Sequence, residues 1–340
     1  MKQSFFRKKW ILLGVNILLL LLLALGLWRW YSLTHLLETQ QAAERWAGED
    51  TQTYAQASYF LPTGSAVTQE QIYDFRTLLE QEMVAAGLEL PEEGSLYCDA
   101  WSSMGTLTLT GDSGTAEAKA IGVGGEWFLF HPISLRCGSY LSDTDLMHDR
   151  VLLNEELAFR LFGGLDVAGL EVIIDGKPYL VSGVIDMEDD RFTKLTLEET
   201  PIVFVYADQF PDQAITNYEL VSVEPLSNFT TSALTELFPV KDGVVVDNSR
   251  RYEVKKIDDL IWKLGQRSIV ADGVAYPYWE NAARIIEVHL ALLLVVIVAL
   301  AILPVGSALV WVIRKIVVWR RNYLQKRREK DPAYEFRAED

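Results

Sequence analysis

Reactive side chains are scarce in this 340-residue sequence, which has only two cysteines and four histidines. The histidines show no His-x-x-x-His spacing, and no Gly-x-Ser-x-Gly segment is present. These absences exclude the zinc-protease helix and the hydrolase nucleophile elbow that those patterns mark. A Gly-x-x-x-x-Gly-Lys-Ser/Thr loop is also missing, so the sequence is not that of a P-loop ATPase. The sequence therefore predicts no catalytic residue and no cofactor site.

Acidic residues cluster in two short segments, and each segment is a candidate cation site. Asp143, Asp145, His148 and Asp149 precede an apolar strand pattern. A divalent cation is one interpretation, but the glycine and the distal glutamate of an EF-hand loop are missing. A solvated turn with capping aspartates is the other interpretation, and it is the one we expect. We interpret residues 186–190 as an exposed loop, so no metal site is predicted.

Long apolar runs are limited to residues 11–28 and 290–313. With Trp10 the first has 19 residues and the second has 24. An α-helix needs roughly 20 residues to cross about 30 Å of hydrocarbon, and it satisfies its backbone amides internally. We therefore predict five parts: a cytoplasmic N-terminus (1–9), a transmembrane helix (10–30), an extracytoplasmic domain (31–287), a second transmembrane helix (288–313) and a basic cytoplasmic tail (314–340).

Charge is distributed unevenly along the chain. Four basic residues and no acidic residue precede the first apolar run, and nine basic residues follow the second. The positive-inside rule therefore predicts that both termini are cytoplasmic. Residues 30–313 hold 17 basic and 42 acidic residues, a net charge of about −25. Such a surface repels nucleic acid, which is not an expected partner.

A cleaved signal peptide is the alternative interpretation of the first apolar run. Its core exceeds the usual ~7 to 15 residues, and no small-x-small cleavage site follows promptly. We therefore expect an uncleaved anchor.

Cys98 and Cys137 both fall in the predicted extracytoplasmic part, where a disulfide can persist. They form either a disulfide or two buried thiols, and two positions in a sequence do not show which.

Periodicity in the middle of the chain predicts an α+β domain. Residues 38–59 are polar with helically spaced Leu and Ala, so they are predicted to continue the first membrane helix into a linker. Thr68, with Gln71 three residues on, and Gly87 delimit a helix over 68–86. Further helices are predicted at 155–162, 231–237 and 257–264. Strands are predicted at 96–98, 106–110, 116–123, 127–130, 151–153, 171–174, 179–185, 202–206, 218–223 and 243–246.

The dipeptide Asp175-Gly176 predicts a tight hairpin, because a two-residue type I′ turn requires positive φ at both positions. The alternation of Val172 and Ile174 with Tyr179 and Val181 predicts that one face of this hairpin lies on a core.

Residues 135–186 carry the most specific pattern. It comprises Leu-Arg-Cys-Gly-Ser-Tyr-Leu-Ser from residue 135, Val-Leu-Leu-Asn-Glu from 151, Leu-Phe-Gly from 161, and then the hairpin. This ordered series resembles the periplasmic core domain of MacB-type ABC transporter permeases, and looser similarity extends over residues 1–313. The resemblance implies an α+β core domain of mixed sheets with βα units. It also implies structural roles for eight motif residues: Gly138, Asp145, Asn154, Phe162, Gly163, Gly169, Gly176 and Gly183.

The sequence departs from that family after the second apolar run. The family has four spans and a Glu-Arg-x-x-Glu-Ile-Gly coupling helix that docks on the ATPase, whereas a basic, aromatic segment stands here. We expect a shortened, two-span relative. The segment is predicted to contact anionic lipid, at about 1 kcal/mol per basic residue, or a cytoplasmic partner. The contacting residues are predicted to be Trp319, Arg320, Arg321, Arg327 and Arg328.

These observations predict a non-enzymatic, two-pass protein of the bacterial inner or plasma membrane. The resemblance implies a role in export or cell-envelope assembly, through association with other permease chains and a separate ABC ATPase. The alternative is an envelope-anchored binding or signalling module that uses the same core fold, because a fold does not dictate function.

Overall fold

The computed structural model describes residues 2–92, 94–197, 200–209, 214–263, 270–271 and 273–329. The chain divides into two compact units, one formed by Met1–Ser32 with Leu290–Asp340 and the other by Leu33–His289.

The described residues form nine α-helices and twelve strands. The helices are α1 (Lys2–Thr34), α2 (Ala42–Ala47), α3 (Gln69–Ala85), α4 (Trp127–Phe130), α5 (Glu155–Phe162), α6 (Arg191–Thr196), α7 (Phe229–Leu237), α8 (Val254–Ile261) and α9 (Tyr278–Glu329). The strands are β1 (Tyr54–Phe60), β2 (Tyr97–Gly111), β3 (Gly114–Gly125), β4 (Ser134–Gly138), β5 (Arg150–Asn154), β6 (Glu171–Ile174), β7 (Lys177–Asp186), β8 (Ile202–Tyr206), β9 (Ile215–Val223), β10 (Val244–Asp247), β11 (Val270–Ala271) and β12 (Val274–Ala275).

Ten of the described strands form one mixed sheet in the order β10-β1-β9-β2-β3-β8-β5-β7-β4, and β6 pairs with both β2 and β7. The pairs β3–β8 and β5–β7 are parallel, and the others are antiparallel. The predicted α+β class is confirmed.

The helices α3 and α7 cover one region of the sheet. Phe75 of α3 packs edge-on against Tyr218 and Phe238, with ring centroids 5.4 and 5.2 Å away. The predicted start of α3 is confirmed, because the Thr68 hydroxyl accepts from the Gln71 amide and the Gln71 side chain accepts from the Thr68 amide. This reciprocal capping fixes the entry of the helix.

A second core lies under α5 and the β6–β7 hairpin. Val172, Ile174, Tyr179 and Val181 are all buried there, so the predicted register of the hairpin is confirmed. Asp175 and Gly176 both have positive φ, at +49° and +76°, as the predicted turn requires.

Two predicted elements were wrong. Residues 38–59 do not continue the first helix, which ends at Thr34, because residues 54–60 form strand β1 between β9 and β10. The polar residues Gln56 and Ser58 obscured this strand: both are buried, and long-range partners satisfy their side chains.

Residues 127–130 form helix α4 and not a strand. A four-residue apolar run does not distinguish the two by periodicity, and here Trp127 and Phe130 are buried at the helical spacing of three. Residues 187–190 form a loop after β7, as predicted, and Asp190 at its end caps helix α6, which was not predicted. The predicted helix 257–264 begins earlier, at Val254, and Leu264 lies outside the described residues.

Two helices in the described part of the chain are long and apolar enough to cross a membrane, over Trp10–Thr34 and Tyr278–Lys326. The Ser307 hydroxyl lies 2.8 Å from Asn16 Oδ1, so a hydrogen bond joins the two apolar segments. Helix α9 continues through Pro304.

Candidate functional site

The eight motif residues lie on one continuous segment from β4 to β7. Gly138 of β4 is opposite Gly183 of β7 in the antiparallel register. A methyl group on Gly138 would overlap the Ser182 carbonyl oxygen, and one on Gly183 would overlap the Cys137 carbonyl oxygen. The two glycines therefore allow these backbones to approach closely.

Asn154 joins three elements at the end of β5. Its Oδ1 accepts from the Leu157 amide, which caps α5, and from the Ile202 amide at the start of β8, both at 3.0 Å. Asn154 is buried, so one side chain satisfies two backbone donors that water cannot reach.

The remaining motif glycines form the connections around α5. Gly163 ends the helix in the left-handed conformation, with φ of +73°. Gly169, with φ of +85°, donates its amide to the Val181 carbonyl at 2.7 Å. Phe162 is half-buried against the same core. These positions shape the fold.

Asp145 lies in the polar loop before β5. It pairs with Arg150 at 3.2 Å and accepts from the Tyr206 hydroxyl at 3.3 Å. The ring of His148 stacks on Tyr206, 4.1 Å away, and its Nδ1 lies 2.8 Å from Asp208. Burial raises the pKa of Tyr206 to about 12. Among the described residues no group of three or more His, Cys, Asp or Glu side chains is placed to hold a metal ion.

Both cysteines are free thiols. Cys98 is buried on β2, and burial raises the pKa of its thiol. Cys137 is half-buried on β4 and donates to the Leu165 carbonyl at 3.3 Å. Of the two alternatives left open by the sequence, the structure shows the unpaired thiols.

The basic segment after the second apolar run continues α9 as an exposed helix. Trp319, Arg320 and Arg321 are exposed, and the Trp319 ring stacks on Tyr323 with centroids 5.7 Å apart. The side chains of Arg327 and Arg328 lie outside the described part of the chain.

Sequence reasoning missed a buried ionic cluster at the start of α9. Arg251 binds Glu280 through two hydrogen bonds of 2.6 Å and Glu287 through one of 2.7 Å. All three residues are buried. Burial lowers the pKa of Arg251, but Glu280 and Glu287 more than offset this, so that its pKa is well above the ordinary value. Burial raises the pKa of Glu280, and Arg251 opposes that shift.

The spacing of Glu280, Arg284 and Glu287, at four and three residues, could have indicated one charged helix face. No sequence signal points to Arg251, which comes 29 residues before Glu280.

A second buried polar pair was also missed. His131 Nε2 lies 2.5 Å from Glu219 Oε2, and Ser58 donates to the other Glu219 oxygen at 3.2 Å. The His131 ring stacks on Trp127 at 4.2 Å. Because the two partners are 88 residues apart, their contact could not be predicted.

A family model described as the MacB-like periplasmic core domain matches residues 59–236, just over half of the chain. A search of curated proteins found no match.

Two solved structures are similar to parts of the chain. The extracellular domain of the noncanonic ABC-type transporter YknZ from Gram-positive bacteria is 15% identical, over 54% of this chain and 90% of that one, with a TM-score of 0.37. The periplasmic region of MacB from Actinobacillus actinomycetemcomitans is 16% identical, over 63% of this chain and 94% of that one, with a TM-score of 0.43. By the family match, which includes the β4–β7 segment, the chain belongs to the family that carries the MacB-like periplasmic core domain of ABC transporter permeases.

Proposed function

We propose that this protein is a non-catalytic, two-pass membrane subunit of an ABC-type machinery for export or cell-envelope assembly. The observation that carries this proposal is the MacB-like core domain over residues 59–236, flanked in the sequence by two helices long and apolar enough to cross a membrane. In this role the subunit transmits or senses a signal and does not itself conduct a substrate, because two helices cannot by themselves enclose a transport pathway.

The proposed location is the bacterial inner or plasma membrane, with both termini in the cytoplasm and the acidic domain outside. The basic flanks of both apolar runs support this orientation. Gly164→Cys places a thiol in open space. In a background without Cys98 and Cys137, a membrane-impermeant maleimide should label it on intact cells. Gln325→Cys is the matched control and should react only after permeabilisation. The reverse pattern would refute the orientation.

The non-catalytic assignment is supported by how the buried polar groups of the domain are used. The carboxylates of Glu280 and Glu287 bind Arg251, and Glu219 binds His131 and Ser58. These groups hold the fold together and do not converge on a reacting centre.

The proposed partners are other permease chains and a separate ABC ATPase, with membrane lipid around the two apolar helices. Trp319, Arg320 and Arg321 present an exposed basic and aromatic surface on α9 that suits an anionic lipid or an acidic protein surface.

Purification of the full chain in a mild detergent tests the association. We expect an ATPase or permease chain, or further copies of this chain, to co-purify. Arg320→Gln with Arg321→Gln should reduce recovery of a cytoplasmic partner, whereas Arg136→Gln, an exposed arginine of the domain, should not. A strictly monomeric species with no associated chain would refute the transporter role.

A further inference from the structure

The domain contains a pocket of about 260 Å³ beside its edge strand β10, walled by helix α8 and the beginning of α9. Its apolar lining comes from Val244, Val245, Val246, Ile257 and Leu260. The volume equals that of roughly nine waters, which suits a small ligand or the end of a longer one.

Six charged side chains also line this pocket, three basic and three acidic, but their pairing is uneven. Lys256 pairs with Asp247 at 2.9 Å. Arg251 forms ion pairs with both buried carboxylates, those of Glu280 and Glu287. The third basic residue, Arg284, forms no hydrogen-bonded ion pair with a carboxylate of the described residues, although its charge interacts with that of Glu280.

Arg284 is 6% exposed and lies with its guanidinium 4.0 Å from the centre of the Tyr276 ring. Its Nε and Nη1 atoms are buried and have no hydrogen-bond acceptor within the described parts of the chain. The charge of Arg284 interacts with that of Glu280, but its buried donors remain costly, because no acceptor replaces the hydrogen bonds that they would make to water. An anion in the pocket would remove that cost.

We propose that this pocket binds the anionic group, a carboxylate or a phosphate, of an amphiphilic ligand, with Arg284 as its counter-charge. The apolar part of the ligand lies against the valines of β10 and against Ile257 and Leu260 of α8. Arg284 suits either group, because a guanidinium donates several hydrogen bonds to carboxylate or phosphate oxygens. The site is separate from the motif segment and extends the proposed function to ligand sensing.

Titration of the full chain, held in phosphatidylcholine nanodiscs, with octanoate and with octyl phosphate tests the proposal. We expect saturable binding of at least one probe and none of octanol, which has the same chain without the charge. Arg284→Gln should weaken binding about tenfold or more, because a hydrogen-bonded charge pair is lost. Arg191→Gln, an exposed arginine away from the pocket, is the matched control and should bind like the wild type.

The thermal midpoint of the ligand-free variant separates a binding role from a structural one. If Arg284 awaits a ligand, Arg284→Gln is as stable as the wild type or more stable, because it removes buried donors that have no acceptor. A structural arginine would instead lower the midpoint when replaced. Equal binding by the wild type and Arg284→Gln, or no saturable binding of either probe, would overturn the proposal.

Hydrogen exchange on the wild type locates the site without any substitution. The bound probe should slow exchange of amides in β10 and α8, and protection confined to other elements would overturn the assignment. Addition of phosphatidylglycerol to the nanodiscs identifies the source of the ligand. Competition with the probe indicates a lipid headgroup, whereas unchanged binding indicates a free amphiphile. Because the proposed assembly is assayed by co-purification, failure here leaves that result intact.

Discussion

Arg76 of α3 forms a two-point ion pair with Asp99 of β2, with Nε–Oδ2 and Nη2–Oδ1 distances of 2.8 and 2.7 Å. The buried Tyr218 hydroxyl donates to the same carboxylate at 2.6 Å. Asp99 therefore links helix α3 to strands β2 and β9. Because Asp99 is buried, Arg76 and Tyr218 depend on its carboxylate as their hydrogen-bond acceptor.

Asp99→Ala should lower the free energy of unfolding by about 2–4 kcal/mol, because it leaves a buried hydroxyl and a partly buried guanidinium unpaired. Urea unfolding followed by tryptophan fluorescence measures the change. Glu156→Ala breaks the exposed Arg160 pair and should cost at most about 0.5 kcal/mol. Similar losses in both variants would contradict the assignment.

Gly183→Ala should destabilise the domain by about 1–3 kcal/mol, because the added methyl group meets the Cys137 carbonyl oxygen across the β4–β7 pair. Gly164→Ala is the control, since a methyl group there has nothing within 4 Å. Comparison of the two unfolding midpoints checks the prediction. An unchanged midpoint for Gly183→Ala would show that β4 and β7 can move apart at little cost in free energy.

Arg251→Met should cost about 3–5 kcal/mol, because Glu280 and Glu287 would remain buried without their counter-charge. Combining it with Glu280→Gln and Glu287→Gln should recover part of the loss. Arg136→Met, which removes an exposed pair with Glu155, is the control. Thermal unfolding measures all four proteins. A triple variant less stable than Arg251→Met alone would argue against charge burial as the cause.

Glu188 should make stability depend on pH. Burial raises its pKa, so the folded state keeps this proton at pH values where the unfolded state, with a pKa near 4.5, has lost it. The free energy of unfolding therefore falls as the pH rises from about 4.5 through the folded pKa. Glu188→Gln should flatten that slope and be at least as stable as the wild type at pH 7. Glu89→Gln, an exposed glutamate, is the control, and an unchanged slope in Glu188→Gln would contradict the prediction.

Both thiols should react with a maleimide after denaturation without a reductant, because neither is in a disulfide. In the folded protein the half-buried Cys137 should react faster than the buried Cys98, whose raised pKa also lowers its thiolate fraction. Intact mass spectrometry counts the labels. Absence of labelling until a reductant is added would show that the two residues are paired.

Local signals predicted the segment around α5 almost to the residue. Asn154 and Gly163 delimit the helix, and Asp175-Gly176 specifies the hairpin, because each acts through its own backbone neighbourhood. Strand β1 was missed for the opposite reason. Its polar residues Gln56 and Ser58 indicate a solvent-exposed segment. The partners that form hydrogen bonds with their buried side chains are distant in sequence.

The same distinction applies to the polar clusters. Helical spacing places Glu280, Arg284 and Glu287 near one another, so part of the charged helix face was accessible from the sequence. The contacts of Glu280 with Arg251 and of His131 with Glu219 depend on the arrangement of elements far apart along the chain. Periodicity carries no information about such contacts.

Strand β2 places Cys98 and Ala100 in one core cluster, Trp101 in another and Leu107 and Leu109 in a third. Detaching this strand would expose apolar surface in all three clusters at once. The domain should therefore melt as a single cooperative unit, with one transition reported alike by fluorescence and by circular dichroism.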